Sequence, residues 1–270
     1  MVVKIAGGGF GTGSQGVVQV FSQDTGEVDT ILCDKAYLTD CRTAAAGALC
    51  CRLSVPRTGS GKKGFGNGTV GIVGSGVQAR FQATYISHIL GWTSVLIAAR
   101  NAERRASCVA ELAKQLAGAD ITVGEAESVE ELCSSSHVIV TTTSAKEPVL
   151  AASLLPKSES GCVVIAMGAD GIGKHEVAQE IIAKADRVIV DSLEQCKQFG
   201  DLSYLAEVPA NTVELGKVVK AAKAGDESFT PQKGHLTVCD LTGRFANFVF
   251  ALRGVHLTHC TKELQHRTSS

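Results

Sequence analysis

The residues Gly74-Ser75-Gly76-Val77-Gln78-Ala79 join an apolar run, TVGIV, to an amphipathic stretch, RFQATYISHIL. This is a G-x-G-x-x-A pattern placed between a strand and a helix. Gly74 permits a tight turn, and Gly76 lets the main chain approach a pyrophosphate closely. The helix N-terminus adds N–H groups and the positive end of its dipole. The implied chemistry is dinucleotide binding, with Gly74, Gly76, Val77, Gln78 and Ala79 as the cradle. Ala79 stands where a third glycine is common. A more complete pattern, Gly11-Thr12-Gly13-Ser14-Gln15-Gly16, is followed by β-type alternation and not by a helix. It is therefore expected to be a loop feeding a hairpin, not a cofactor loop.

Two further groups belong with this chemistry. The next apolar run, SVLIAA, ends in Arg100 and Asn101, with Arg104 following. A site for NAD usually places an acid there for the ribose 2′-hydroxyl. A cation without an acid favours NADP(H), with NAD(H) also possible, and makes Arg100 and Asn101 candidate contacts. The stretch VTTTSAKEP brings the hydroxyls of Thr141, Thr143 and Ser144 to the carboxyl end of a strand, where such sheets bind ligands. Residues 57–68 hold five glycines but no nucleotide loop: Gly61-Lys62 is followed by Lys63, not Ser or Thr, and the first required glycine is absent.

These groups need a scaffold, and the pattern supplies one. Two apolar runs flanking Asp24-Thr25-Gly26-Glu27 predict a hairpin. The alanine-rich stretch LTDCRTAAAGALCCRLS predicts a helix, capped by Thr39 or Asp40 and stopped by Pro56. From Thr69 onward, β-branched runs alternate with helical stretches. Strands are expected at TVGIVG, SVLIAA, ITV, HVIVTTT, CVVIAM, RVIVD and HLTVC. Helices are expected at VQARFQATYISHIL, from the cap Asn101 to Gly118, at EVAQEIIAKA and at ELGKVVKAAKAG. Ser128 and Glu131 form a capping-box pattern. Continuous apolar strands alternating with helices indicate an α/β fold, a Rossmann doubly wound parallel sheet. One more apolar helical segment is expected after Leu241.

Composition narrows the partners. The chain has 270 residues, 44% hydrophobic, with a net charge of −1. That gives no electrostatic case for nucleic acid or an anionic membrane. No apolar run approaches the roughly 18 residues of a membrane span. Ten cysteines carry neither C-x-x-C nor zinc spacing. They read as buried small hydrophobes of a cytoplasmic protein, with no metal site.

The stretches LTDCRTAAAGAL, GIVGSGVQARFQ, VIVTTTSAKEPVL, IAMGADGIGKHEV, ADRVIVDSLEQC and ELGKVVKAAKAG, in this order, resemble the ornithine cyclodeaminase/mu-crystallin family. The resemblance implies a Rossmann domain, residues 64–240, and a smaller α+β substrate and dimerisation domain from both chain ends, residues 1–63 with 241–270. It implies a homodimer and a small amino- or imino-acid substrate. It assigns Lys4 to the substrate carboxylate and reacting carbon, Arg42 to the carboxylate, and Asp170 to the substrate amine. Met167 joins the expected cofactor contacts. Without the resemblance, Lys4 reads as a surface lysine, Arg42 as a helix-surface charge and Asp170 as a turn former.

The sequence departs from that family in three places. The strands and an arginine that precede the position of Lys4 in the family are expected to be missing. Ile172 replaces a proline, and Asn247-Phe248 replaces a Gln-Asp pair. The activity implied is NAD(P)-dependent oxidoreduction at Cα: ornithine to proline plus ammonia, or reduction of a cyclic imine or ketimine. The alternative is a non-catalytic protein that binds NADPH and a small ligand. Asp170 suits amine chemistry, whereas Arg100 suits NADPH and imine reduction.

Overall fold

The computed structural model describes residues 1–10, 13–56, 68–156 and 161–243. Its first three strands, β1 (Val2–Phe10), β2 (Gly13–Phe21) and β3 (Val28–Leu32), form an antiparallel sheet in that order. Lys4 pairs with Val18, and Val18 with Leu32. Directly opposed residues share a sheet face. Lys4 therefore lies on the inner face with Val18, which is buried. The expected hairpin at residues 24–27 is present, with Gly26 at φ 75°.

Gly13 and Gly16 are corrected: they lie inside β2 and not in a loop before it. Ladder pairing of Gly16 with Ala6 and of Gln15 with Gly7 overrides the turn preference of glycine. Gly16 has a packing reason, because a methyl there would sit 3.0 Å from the Ala36 nitrogen.

Helix α1 (Tyr37–Ser54) covers the expected stretch, but its cap differs. Neither Thr39 nor Asp40 precedes the helix. Asp34 accepts from the N–H groups of Ala36 (3.2 Å) and Leu38 (2.7 Å). Lys35 and Ala36 then turn the chain with positive φ. The hydroxyl of Thr39 accepts from Lys4 Nζ at 3.1 Å.

The remaining strands form one eight-stranded parallel sheet. They are β4 (Thr69–Val73), β5 (Ser94–Ala98), β6 (Thr122–Glu125), β7 (Val138–Thr141), β8 (Cys162–Ala166), β9 (Arg187–Val190), β10 (Thr212–Glu214) and β11 (Leu236–Asp240). Their order is β10-β9-β11-β8-β7-β4-β5-β6. The chain runs outward from β4 to β6, then returns to β7 on the other side of β4. That reversal is the switch point at which open parallel sheets bind ligands. The helices are α2 (Val77–Leu90), α3 (Ala102–Gln115), α4 (Val129–Ser135), α5 (Gln179–Lys184), α6 (Leu193–Cys196) and α7 (Leu215–Ala224). Gly91 ends α2 in the left-handed conformation, and Asn101 caps α3 through the Arg104 N–H. Ser128 accepts from the Glu131 N–H at 3.0 Å, as the capping pattern predicts.

Two elements depart from expectation. β10 has three residues, too few to register as a periodic run. The helix expected at residues 176–185 begins only at Gln179, because Glu176 and Val177 are drawn into other contacts. The segment after residue 243 lies outside the described residues. So do Gly11, Thr12 and residues 57–67.

Among the described residues eight of nine cysteines are buried, Cys33 being exposed, and none forms a disulfide. No described helix is long and apolar enough to cross a membrane.

Helices α1 and α2 pack closely and share a core with the sheet residues Ile72, Ile165 and Cys239. Small residues permit this approach: Ala44, Ala45, Ala46, Gly47 and Ala48 are all buried. A methyl on Gly47 would overlap the side-chain oxygen of Gln82, which is fully buried and donates to the Thr43 carbonyl at 3.2 Å. Helix propensity alone makes Gly47→Ala stabilising by about 0.5–1 kcal/mol. Overpacking against Gln82 should outweigh that, at about 1–3 kcal/mol. Urea unfolding should show the variant less stable than the wild type; a gain in stability would refute the tight contact.

Candidate functional site

The glycine loop occupies the switch point. Beyond β4, Gly74 takes φ 133° and donates its N–H to Ala98 O at 2.8 Å. A methyl there would run into the Thr142 hydroxyl, so both the conformation and the close approach require glycine. Gly76 is the N-cap of α2 and supplies no side-chain cap, and a methyl on it would meet nothing within 4 Å. The loop carbonyls are held by Arg80, which donates to Ser75 O (2.9 Å) and Gly76 O (3.1 Å). Glu111 of α3 holds the same guanidinium at 2.8 Å. Ala79 is fully buried, its small side chain seating α2 on the sheet.

A cavity of about 730 Å³ opens over this loop. Its lining includes Gly74 and Gly76, then Arg100, Asn101 and Arg104 after β5, and residues 142–149 after β7. The volume lies within the usual range for ligand sites. The arrangement fits a dinucleotide: Arg100 and Arg104 after β5, a bare helix N-terminus at Gly76, and the hydroxyl residues Thr142, Thr143 and Ser144 after β7. Asn101 lines the cavity while its side-chain oxygen caps α3. Val77 is half exposed, and neither it, Gln78 nor Ala79 lines the cavity. Gln78 turns to α1, donating to Asp40 Oδ1 at 2.9 Å.

The hydroxyls after β7 divide their work. Thr141, expected at the cofactor, is fully buried and donates to Glu176 Oε2 at 2.8 Å. The hydroxyl residues at the cavity wall are Thr142, Thr143 and Ser144. Glu176 also accepts from the Thr143 N–H, from the Thr143 hydroxyl (2.7 Å) and from the Gly168 N–H (2.6 Å). Burial raises its proton affinity, while the bonds from Thr143 and Thr141 oppose that rise.

A second, smaller pocket of about 30 Å³ adjoins this region, at the carboxyl ends of β8 and β11. Arg42 and Thr43 of α1, Met167 and Asp170 after β8, and Thr242 and Gly243 after β11 line it. Met167, expected at the cofactor, lines this smaller pocket and not the larger cavity. Gly243 has φ 89°, and a methyl on it would lie 3.0 Å from Arg42 Nη1. Asp191 holds that turn, accepting from Thr242 N (3.2 Å), Thr242 Oγ1 (3.1 Å) and Gly243 N (2.8 Å). Burial lowers the proton affinity of Arg42, and Asp191, Asp170 and Asp40 counter the effect. The guanidinium stays charged, since arginine is not deprotonated in proteins.

The other two polar residues differ in setting. Lys4 is half buried, and its proton affinity is lowered first by burial and then by the Arg42 charge. Asp34 and Asp40 pull it back up. Lys4 and Arg42 thus share one electrostatic environment, although Lys4 does not line the pocket. Asp170 is exposed and paired with Lys174, with the exposed Ile172 in the turn between them.

Sequence reasoning missed the buried acids that hold this surface. Asp201 accepts from the N–H groups of Glu176 (2.7 Å) and Val177 (3.0 Å), and burial pushes its carboxyl up to about 6. Asp240 accepts from Leu202 N at 2.8 Å and is raised by burial and then by Asp201. The available signal was positional: Asp191 and Asp240 end or directly follow apolar β-runs, where loop N–H groups need acceptors.

The ornithine cyclodeaminase/mu-crystallin family model matches residues 11–255. An uncharacterized cyclodeaminase of Sinorhizobium fredii is 33% identical over 235 residues, which is 85% of this chain and 66% of that protein. Alanine dehydrogenase of Archaeoglobus fulgidus is 31% identical over 78% of this chain and 60% of its own length. The chain therefore spans less than two thirds of either relative. Among solved structures, the iminosuccinate reductase of Paracoccus denitrificans in complex with NAD+ matches with a TM-score of 0.77 and 25% identity, covering 94% of this chain and 74% of that one. A family match over most of the sequence and a shared parallel-sheet architecture lead to one assignment: the chain belongs to the ornithine cyclodeaminase/mu-crystallin family.

Proposed function

We propose that this protein is an NAD(P)-dependent oxidoreductase acting at the Cα of a small amino or imino acid. The observation that carries the reading is that the switch-point cavity ends beside the Arg42 pocket. Thr143, on the wall of the first, lies so near Gly168, next to Met167 of the second, that no side chain fits between them. Gly74, Gly76, Arg100 and Asn101 would hold the dinucleotide, which when bound would supply the hydride chemistry, while the chain supplies orientation and proton handling. Arg42 grips the substrate carboxylate through a bidentate fork. Lys4 lies near the same carboxylate and the reacting carbon, and partial burial eases its release of a proton. Asp170 takes a proton from the amine or activates water, exchanging its Lys174 partner for substrate.

The reaction is ornithine cyclodeamination to proline and ammonia, or reduction of a cyclic imine. Retention of Asp170 supports the first and Arg100 the second. Assays with saturating NADPH and cyclic imino acids, and with NAD and ornithine or alanine, should reveal one of these activities. Dinucleotide binding with no turnover of any of them would instead support a binding protein.

NADP(H) is the favoured cofactor. Arg100 and Arg104 line the end of the cavity next to β5, and no acid follows that strand directly. Arg100→Asp should weaken NADPH binding roughly tenfold or more, since a hydrogen bond to a charged group is lost and a like charge introduced. NADH binding should be unchanged or tighter. Equal NADPH affinity in the variant, read by fluorescence titration, would remove Arg100 from the site.

The ends of the chain, residues 1–63 with 241–270, form the substrate and dimerisation unit in this reading. Support for a homodimer comes from the outer face of the antiparallel sheet. Val3, Ile5 and Ile31 are exposed there, with Val3 and Ile31 both opposite Gln19. Exposed apolar side chains grouped in this way favour burial against a second copy. Light scattering should give twice the chain mass, and Ile5→Lys with Ile31→Glu should shift it to one chain mass.

A further inference from the structure

We propose that Glu176 is a positioning residue: its buried carboxylate clasps the loop after β7 to the turn after β8, and so fixes the spacing between the larger cavity and the Arg42 pocket. Each oxygen serves both sides or one of them fully. Oε1 takes the N–H and hydroxyl of Thr143, while Oε2 takes the Thr141 hydroxyl and the Gly168 N–H. Thr143 lines the larger cavity, and Gly168 separates Met167 from the residues leading to Asp170 in the smaller.

The carboxylate is itself held from behind. Asp201 binds the main-chain N–H groups of Glu176 and Val177, and the Glu176 carbonyl accepts from Val149 (2.8 Å) and Leu150 (3.0 Å). His175 N–H donates to Ala145 O at 2.9 Å, joining the same loop one residue earlier. Residues 175–177 are thus stitched along the wall of the cavity, which explains why α5 starts late. Gly168 completes the clasp by having no side chain: a methyl would overlap both Thr143 O and the Glu176 carboxylate.

A carboxylate is needed because it offers two acceptor oxygens and no donor. In Glu176→Gln one oxygen remains, so either the Thr143 or the Gly168 main-chain N–H loses its acceptor. The effect on turnover rests on the oxidoreductase reading; the clasp itself does not.

Two measurements on the full chain therefore separate them. Hydrogen exchange without cofactor should speed up roughly tenfold in Glu176→Gln at residues 142–146 and 167–170 together, as one lost bond to a charged group implies. Exchange unchanged in either segment overturns the clasp. With NADPH and a cyclic imine that the wild type reduces, kcat per NADPH-binding site should fall roughly tenfold, while the NADPH dissociation constant stays within about threefold. An unchanged kcat per site, or a loss confined to NADPH affinity, overturns the positioning role. If Glu176→Gln does not fold, Thr141→Val removes the hydroxyl that helps hold Oε2 against the Gly168 N–H, and so weakens that main-chain bond. It should speed exchange at residues 167–170, and no change there overturns the proposal. A wild type that binds neither NADH nor NADPH defeats the oxidoreductase reading alone, because the exchange data still decide the clasp.

Discussion

Two hydroxyls and two main-chain N–H groups converge on the Glu176 carboxylate where β7 and β8 end. Parallel strands release their loops on one side of the sheet, and those loops carry N–H groups that water does not reach. Each must find an acceptor. Here the acceptors are acids. Glu176 serves the loops after β7 and β8, Asp191 the turn after β11, Asp201 the strand-like residues 176–177, and Asp240 the start of the 201–204 turn. Burial disfavours a charged carboxylate, and converging hydrogen bonds favour it. Asp201, with two main-chain donors, is still raised to about 6, and Asp240 beside it is raised as well. The loops that shape both pockets depend on this balance.

The sheet was legible because its code is simple. Continuous β-branched runs, one after another, admit few structures other than strands buried on both faces. The glycine loop at the switch point was legible for a related reason. What decides such a loop is the strand before it and the helix after it, and both are visible in the residues flanking Gly74 and Gly76. The glycines of residues 7–16 failed the same test, yet the expectation of a loop was still wrong. Glycine permits a strand as well as a turn, and only pairing with the partner strand decides between them. β10 was missed because three residues carry no period.

The candidate site was less legible. Family resemblance led to Arg42, Asp170 and Lys4, and the structure brings the first two to one pocket with Lys4 in the same electrostatic neighbourhood. Thr141 was assigned to the cofactor from its strand end, and Met167 with the contacts that the resemblance implies. β7 ends at Thr141, and the cavity wall begins one residue later, where the chain leaves the sheet. Thr142 lines the cavity and Thr141 does not. Glu176 belonged to a recognisable motif, but nothing local indicates that its carboxylate reaches residues 141, 143 and 168. Its partners are brought together only by the crossing of the chain from β7 to β8.

Arg42 is carried by a helix with almost no free face. Small residues press α1 against α2 and the sheet, and ten of its residues are buried. Such a helix can neither slide nor roll without colliding with Gln82 or the core. The Arg42 guanidinium is thus carried on a backbone with little freedom to shift. Divergence in what the pocket accepts would have to come from the turns after β8 and β11, which are short, polar and held by replaceable hydrogen bonds.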